Sequence, residues 1–174
     1  MSIIDETYLK YSPVFIDGLD SSNGFDPDIT APKVVAVRRA IEIYEAELLE
    51  MILGEEAYAE YVSTKDDAKW NTFKGKLANN TTKISPIANY VFYYFRKDNA
   101  VKTADTSDYV RKYGNDASMV GIEENNVLVW NKMCKLLYKF FVWLEDNETS
   151  LGLTSVIDKC NWDRLTTTKN VFGI

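Results

Sequence analysis

From residue 34 onward, apolar side chains recur at alternating steps of three and four: Val34, Val37, Ile41, Tyr44, Leu48 and Met51. That spacing lines one face of an α-helix and predicts a helix over residues 33 to 53. Thr30 suits its cap, Pro32 its first turn, and Gly54 its end. A short segment follows, Glu55 to Val62, with Tyr58, Tyr61 and Val62 on one side. Thr64 with Asp67 three residues on has the form of a capping box, and Trp70, Phe73 and Leu77 give the next helix, 66 to 77, its apolar face.

The polar run Asn79 to Lys83 reads as a loop, and Ser85 followed by Pro86 opens a helix over 86 to 98. Its residues Ile87, Tyr90, Val91, Tyr94 and Phe95 share one side, while Phe92 and Tyr93 lie on the other. A helix apolar all round is one buried on both sides, although the run Tyr-Val-Phe-Tyr-Tyr-Phe also favours strand. Asp98 to Asp116 is polar and reads as a long loop whose only large apolar groups are Tyr109, Val110 and Tyr113. The longest helix is predicted over 120 to 146, where Val127, Trp130, Cys134, Leu137, Phe141 and Leu144 keep the three-four spacing. It is expected to end at Glu145, Asp146 and Glu148, an unfavourable end because acids oppose the dipole at a helix C-terminus.

The pattern therefore predicts an all-α protein: a helical bundle at residues 31–146 with a long inter-helix loop, an irregular arm at 1–30 and a polar tail at 147–174. In the arm, Tyr8, Val14, Phe15 and Ile16 are the spots expected to dock on something. In the tail, Leu151, Leu153, Val156, Trp162 and Phe172 are isolated apolar points.

Composition narrows the function. Eleven Tyr, eight Phe and four Trp make the chain rich in aromatics. A net charge of −6 argues against sequence-independent binding of nucleic acid, which needs clustered Lys and Arg to displace phosphate counterions. The longest uncharged aromatic run, Ile84 to Phe95, is shorter than the ~20 residues that span a bilayer, so no membrane role is expected. Met1 to Lys10 lacks the apolar centre of a secretory signal, and Cys134 and Cys160 are expected as reduced core residues in a cytoplasmic compartment.

Catalytic chemistry is thinly provided. The chain has no histidine, which removes Ser-His-Asp and Cys-His nucleophiles and the common zinc sites together. There is no glycine-rich phosphate loop. The acidic stretch Asp17, Asp20, Asn23, Asp26 and Asp28 fails as a calcium loop because Leu19 and Ser21 stand where ligands are required. The pairs Glu55-Glu56 and Glu123-Glu124 are adjacent on helices, point apart and cannot converge on one substrate. No catalytic residue, metal ligand or cofactor is expected, and the absence of a convergent polar set argues against an enzyme.

Charge is segregated along the chain. Residues 41 to 64 hold seven Glu and no Lys or Arg, whereas residues 65 to 112 hold ten Lys and Arg against five Asp. The plainer explanation is pairing inside one molecule. The sharper one is pairing between neighbouring copies, head to tail, which is the contact that generates rings.

Two stretches carry a family resemblance. Ile41-Glu-Ile-Tyr-Glu-Ala-Glu-Leu-Leu-Glu-Met-Ile-Leu-Gly-Glu-Glu-Ala-Tyr58 resembles the helix, Leu-Gly turn and short second helix of the head-to-tail connector (adaptor) proteins of tailed bacteriophages. Ser85-Pro-Ile-Ala-Asn-Tyr-Val-Phe-Tyr-Tyr-Phe-Arg-Lys-Asp-Asn-Ala100, with Val129-Trp-Asn-Lys-Met133, is similar to small proteins in phages and prophages of Bacteroidota. The two span roughly residues 30 to 146 and leave the arm and the tail outside. The resemblance implies a structural virion protein of the neck, assembled in the host cytoplasm, whose copies form a ring that joins the portal to the tail. Its partners would be other copies of itself, the portal protein and tail or neck proteins, with at most passing contact with DNA in a central channel. A head-closure or tail-completion factor, or a monomeric helical interaction module, are the alternatives. Candidate association residues are Glu47, Glu50, Glu55 and Glu56, meeting a basic surface from residues 65 to 112, with Phe92, Tyr93, Tyr109 and Tyr113 supplying apolar area.

Overall fold

The computed structural model describes residues 2–11, 13–16, 19, 32–104, 107–110, 117–153 and 156–170. Thr30, Tyr113, Phe172 and the acidic positions between 17 and 28 lie outside them. After a 3-10 turn at Glu6–Leu9 come α1 (Pro32–Leu53), α2 (Glu55–Thr64), α3 (Lys69–Leu77), α4 (Pro86–Ala100), α5 (Ala117–Leu151) and α6 (Trp162–Thr166). The chain is a helical bundle. Between α4 and α5, β1 (Val101–Ala104) pairs antiparallel with β2 (Ser107–Val110), Val101 opposite Val110. The sequence predicted only loop there, yet Val101, Thr103, Tyr109 and Val110 are residues that favour strands.

The centre of the bundle is α4, which packs on α1 from one side and α5 from the other. Residues 85 to 93 are all buried, as an all-round apolar helix requires. Tyr90 and Tyr94 meet Tyr44 of α1, and Tyr93 meets Trp130 of α5 with ring centroids 4.9 Å apart. The amide of Asn89, a buried polar group in this seam, donates to the Val129 carbonyl at 3.0 Å. At one end, α3 closes the core on α5 through an edge-to-face pair, Phe73 with Phe140.

Two local details depart from the sequence pattern. Thr64 does not cap α3: it is the last residue of α2, its hydroxyl donates to the Glu60 carbonyl and accepts the Trp70 indole N–H, and α3 begins only at Lys69. The acids at 145 to 148 do not end α5, because Lys159 pairs with Glu145 at 3.2 Å and Glu148 at 2.6 Å. The helix runs on to Leu151 and stops at Gly152, whose φ of +72° is the left-handed geometry of a C-terminal glycine. There the Leu153 N–H reaches back to the Glu148 carbonyl at 2.9 Å and the Gly152 N–H to the Thr149 carbonyl at 3.2 Å, the paired bonds of a Schellman cap.

The segments outside the helical core are folded onto it. In the arm, Ile4, Tyr8, Leu9, Val14, Ile16 and Leu19 are buried, while Phe15 points outward. Glu45, standing on the core side of α1 between Ile41 and Leu48, accepts the backbone N–H groups of Ile3 at 2.7 Å and Ile4 at 3.1 Å. In the tail, Leu153, Trp162 and Leu165 are buried; Trp162 stacks on Phe141 at 4.2 Å and donates to the Ile52 carbonyl at 2.8 Å. The Asp158 N–H takes the next carbonyl, that of Leu53, at 3.0 Å. Two orphan acceptors at the end of α1 are thereby satisfied from the far end of the chain. Gly54, at φ +79°, makes the turn into α2 so close to Asp158 that a Cβ there would lie 2.5 Å from the Asp158 Cβ.

Candidate functional site

Exposed charge lies on α1, α2 and α5, while the large exposed apolar side chains are spread over the arm, α1, α2, the loop before α4 and α5. On α1, Glu42, Ile43, Glu47 and Glu50 are exposed, Ile43 and Glu50 lying seven residues apart on one face that also carries the exposed Arg39, four residues before Ile43. Glu55 and Glu56 continue the acidic patch in the first turn of α2, where the helix dipole favours them. Glu50, Glu55 and Glu56 have no ion-pair partner among the described residues. Glu47 accepts the Tyr90 hydroxyl at 2.8 Å, which ties it to the core while leaving its side chain at the surface.

Of the basic stretch expected to meet these acids, most is engaged within the molecule. Lys69 pairs with Glu60, the only ion pair among the described residues that joins the acidic and basic stretches. Lys74, Lys76, Lys83 and Lys97 each lie over an aromatic ring, those of Tyr61, Trp143, Tyr8 and Tyr93 respectively, at 4.7 to 5.9 Å. The expected apolar contributors change as well. Phe92 and Tyr93 are 2% and 7% exposed, because α4 is enclosed from both sides, so neither is an interface residue of a folded copy. Tyr109 contributes its backbone to β2, and Tyr113 lies outside the described residues.

Other cations face solvent on α1, at Lys33 and Arg39, and on α5. On the outward face of α5, Leu128, Lys135, Tyr138, Lys139 and Val142 are exposed, with Lys132 half-buried beside them. Lys132, Lys135 and Lys139 make no ion pair or ring contact among the described residues. A signal for this face was present in the sequence: residues 125 to 144 contain three Lys and no acid.

Elsewhere the chemistry is structural. A cavity of about 430 Å³ lies between the arm and α1, lined in part by Asp5, Glu6, Arg38 and Glu42. Glu6 is held below the usual carboxylate range by its bond to Arg38, so the wall of that cavity is an ion pair already made. Cys134 is buried and its thiol is pushed up to about 11 by burial. Cys160, expected in the core, is instead exposed in the turn before α6, with its thiol bonded to Asp158 at 3.2 Å. Among the described residues no group of three acidic or cysteine side chains could hold a metal ion, and no helix is long and apolar enough to cross a membrane.

No protein family matches the chain, and no curated protein or solved structure resembles it at a significant level.

Proposed function

We propose that the chain is a structural virion protein, a ring-forming subunit of the head-to-tail connector that joins portal and tail in a tailed bacteriophage. The reading begins from the resemblance of residues 41–58 and 85–100. Those residues form a long helix, a Leu53-Gly54 turn, a short second helix and an enclosed aromatic helix, in keeping with the element order that the resemblance implies. The observation that carries it furthest is the set of exposed acids Glu50, Glu55 and Glu56, which have no ion-pair partner among the described residues. Such a surface has no role in holding one copy together. It suits a subunit whose partners bring the opposite charge, since complementary potential sets orientation and encounter rate.

The reading calls for no catalysis, metal or cofactor. Its test is co-expression of the full chain with the portal protein encoded in the same phage genome, followed by native mass spectrometry. A complex carrying several copies of the chain per portal ring is expected, and Glu55→Lys with Glu56→Lys should slow or block its formation without altering the circular dichroism. Failure of portal and chain to co-purify at low salt would overturn the proposal.

A further inference from the structure

We propose that the seam between α4 and α5 is a peptide-binding groove, filled in the free chain by its own residues 167–170 as a displaceable plug, and that its ligand is an extended, lysine-bearing segment of another protein. The last buried apolar side chain of the described tail is Leu165, in α6; beyond it Thr167, Thr168 and Asn170 are exposed and Lys169 is half-buried. No apolar anchor holds these four residues down. What holds them is a set of bonds from α5 to their main chain. The Asn131 amide donates to the Lys169 carbonyl at 2.9 Å and its oxygen accepts the Lys169 N–H at 2.7 Å, the paired bonds by which one strand holds another. Two residues back, the Thr167 carbonyl accepts the Trp130 indole N–H at 2.9 Å and the Cys134 thiol at 3.3 Å.

Main-chain bonds are indifferent to sequence, so specificity lies in the one side chain that enters the seam. The Lys169 ammonium donates to the Tyr93 hydroxyl at 2.9 Å and stands 4.3 Å from the centre of the Trp130 ring. No carboxylate pairs with it among the described residues. Backbone bonds that accept any extended segment, joined to a pocket for one side chain, are how a receptor reads a peptide laid along it. While the plug is in place Tyr93, Trp130 and Cys134 are buried and closed to any partner. Lifting residues 167–170 uncovers the sides of them that the plug contacts, and leaves α6 anchored through the buried Trp162 and Leu165. The same segment from a second copy gains nothing over the resident one, which its short tether holds at an effective concentration on the order of millimolar. The occupant that displaces it is therefore a different chain, one that supplies the lysine and the extended backbone and adds contacts of its own along the seam. The groove lies apart from the acids of α1 and α2, so it stands whether or not the chain is a connector.

Cys134, beneath the plug, supplies the readout. In the full chain carrying Cys160→Ser it is the only thiol, and its labelling by a thiol reagent at about pH 8 reports how often the plug lifts. Adding Lys169→Ser should speed labelling about tenfold, because the resident segment loses its pocket contact. The capped peptide Thr-Thr-Thr-Lys-Asn at about 5 mM should then slow labelling by about twofold or more as it refills the groove, and the same peptide with Ser for Lys should not. Asn131→Ala in that background should remove the protection, since the two main-chain bonds go with it. Lys169→Gln takes the place of Lys169→Ser if circular dichroism shows the latter unfolded. A Lys169 variant that labels at the rate of its parent, a lysine peptide that gives no protection, or a serine peptide that protects equally would each overturn the inference. Labelling of the parent that speeds up on dilution from about 100 µM to about 1 µM would show that the plug comes from a second copy, and would overturn the assignment of a different chain as the partner.

Discussion

Glu45 is a carboxylate placed where the helical pattern calls for an apolar residue, and replacing it separates two effects that are joined in the wild type. Its side chain is 5% exposed and accepts the N–H groups of Ile3 and Ile4. In Glu45→Ala the N–H of Ile4, a residue itself 4% exposed, loses its acceptor, at a cost of about 1 to 3 kcal/mol for a buried unsatisfied donor. The half-buried Ile3 can recover a bond from water, so the net loss should be about 2 kcal/mol, a large part of a stability of ~5 to 15 kcal/mol. Glu45→Gln keeps one acceptor oxygen and removes the buried charge, so it should cost less than about 1 kcal/mol at neutral pH. The pH dependence supplies the second test. Burial raises the Glu45 carboxyl above the ordinary glutamate range, and the two N–H groups offset that only in part. A group so raised holds its proton more tightly folded than unfolded, so its contribution is fully present below the unfolded value and is lost as pH rises through the folded one. The wild type should therefore gain stability relative to Glu45→Gln on going from about pH 7 to about pH 5, whatever the other carboxylates do to both proteins alike. Urea denaturation followed by circular dichroism at the two pH values measures this. A Glu45→Ala variant as stable as the wild type, or a gap to Glu45→Gln that does not change with pH, would refute the reasoning.

Trp130→Ala should cost about 3 to 5 kcal/mol in the same assay, since it removes a buried ring packed on Tyr93 and an indole bond to the Thr167 carbonyl; a loss under about 1 kcal/mol would place the ring outside the core. Gly54→Ala should lower the melting temperature more than Gly152→Ala, because both force a side chain into left-handed backbone, worth about 1 to 2 kcal/mol, but only at Gly54 does the new Cβ meet the Asp158 backbone and Cβ. Equal shifts in the two melts would mean that the tail does not lie against the turn. With a thiol reagent at neutral pH, Cys160 should react in the folded protein and Cys134 only after unfolding, as exposure and the raised Cys134 thiol require. Prompt reaction of both thiols would contradict the packing of α5.

The helices were legible where a single face decides the structure. Val34, Val37, Ile41 and Leu48 bury the stripe that their spacing predicted, and Ser85-Pro86 opens α4 with the Ile87 N–H bonded to the Ser85 hydroxyl at 3.1 Å. What escaped the pattern were contacts between residues distant in sequence. Lys159 neutralises the acids that local reasoning took as the end of α5, and Trp70 takes the Thr64 hydroxyl that local reasoning assigned to a cap. The candidate surface was half legible. Acids at 50, 55 and 56 are exposed as expected, but a linear charge count cannot tell a lysine lying over a ring from one facing water, and so it credited residues 65–112 with cations that Tyr61, Trp143, Tyr8 and Tyr93 already hold. Phe92 and Tyr93 were misread for a related reason: an aromatic on the second side of a helix is surface in a two-layer packing and core in a three-layer one.

The long reach from Trp162 back to Ile52 has a bearing on how the chain folds as it is made. The two residues stand 110 positions apart. At a synthesis rate of about 5 to 20 residues per second, α1 waits roughly 5 to 20 s after its own completion before the residue that covers its end is added. During that interval the Ile52 and Leu53 carbonyls remain with solvent and Phe141, once made, lacks its stacking partner. Closing so long a loop comes late and rewards the chain only once the rest is in place. Ribosome-bound chains should thus carry a loosely held α1 that becomes protease-resistant in one step as residues 156–170 emerge, which makes the C-terminal return the event that completes folding of the subunit.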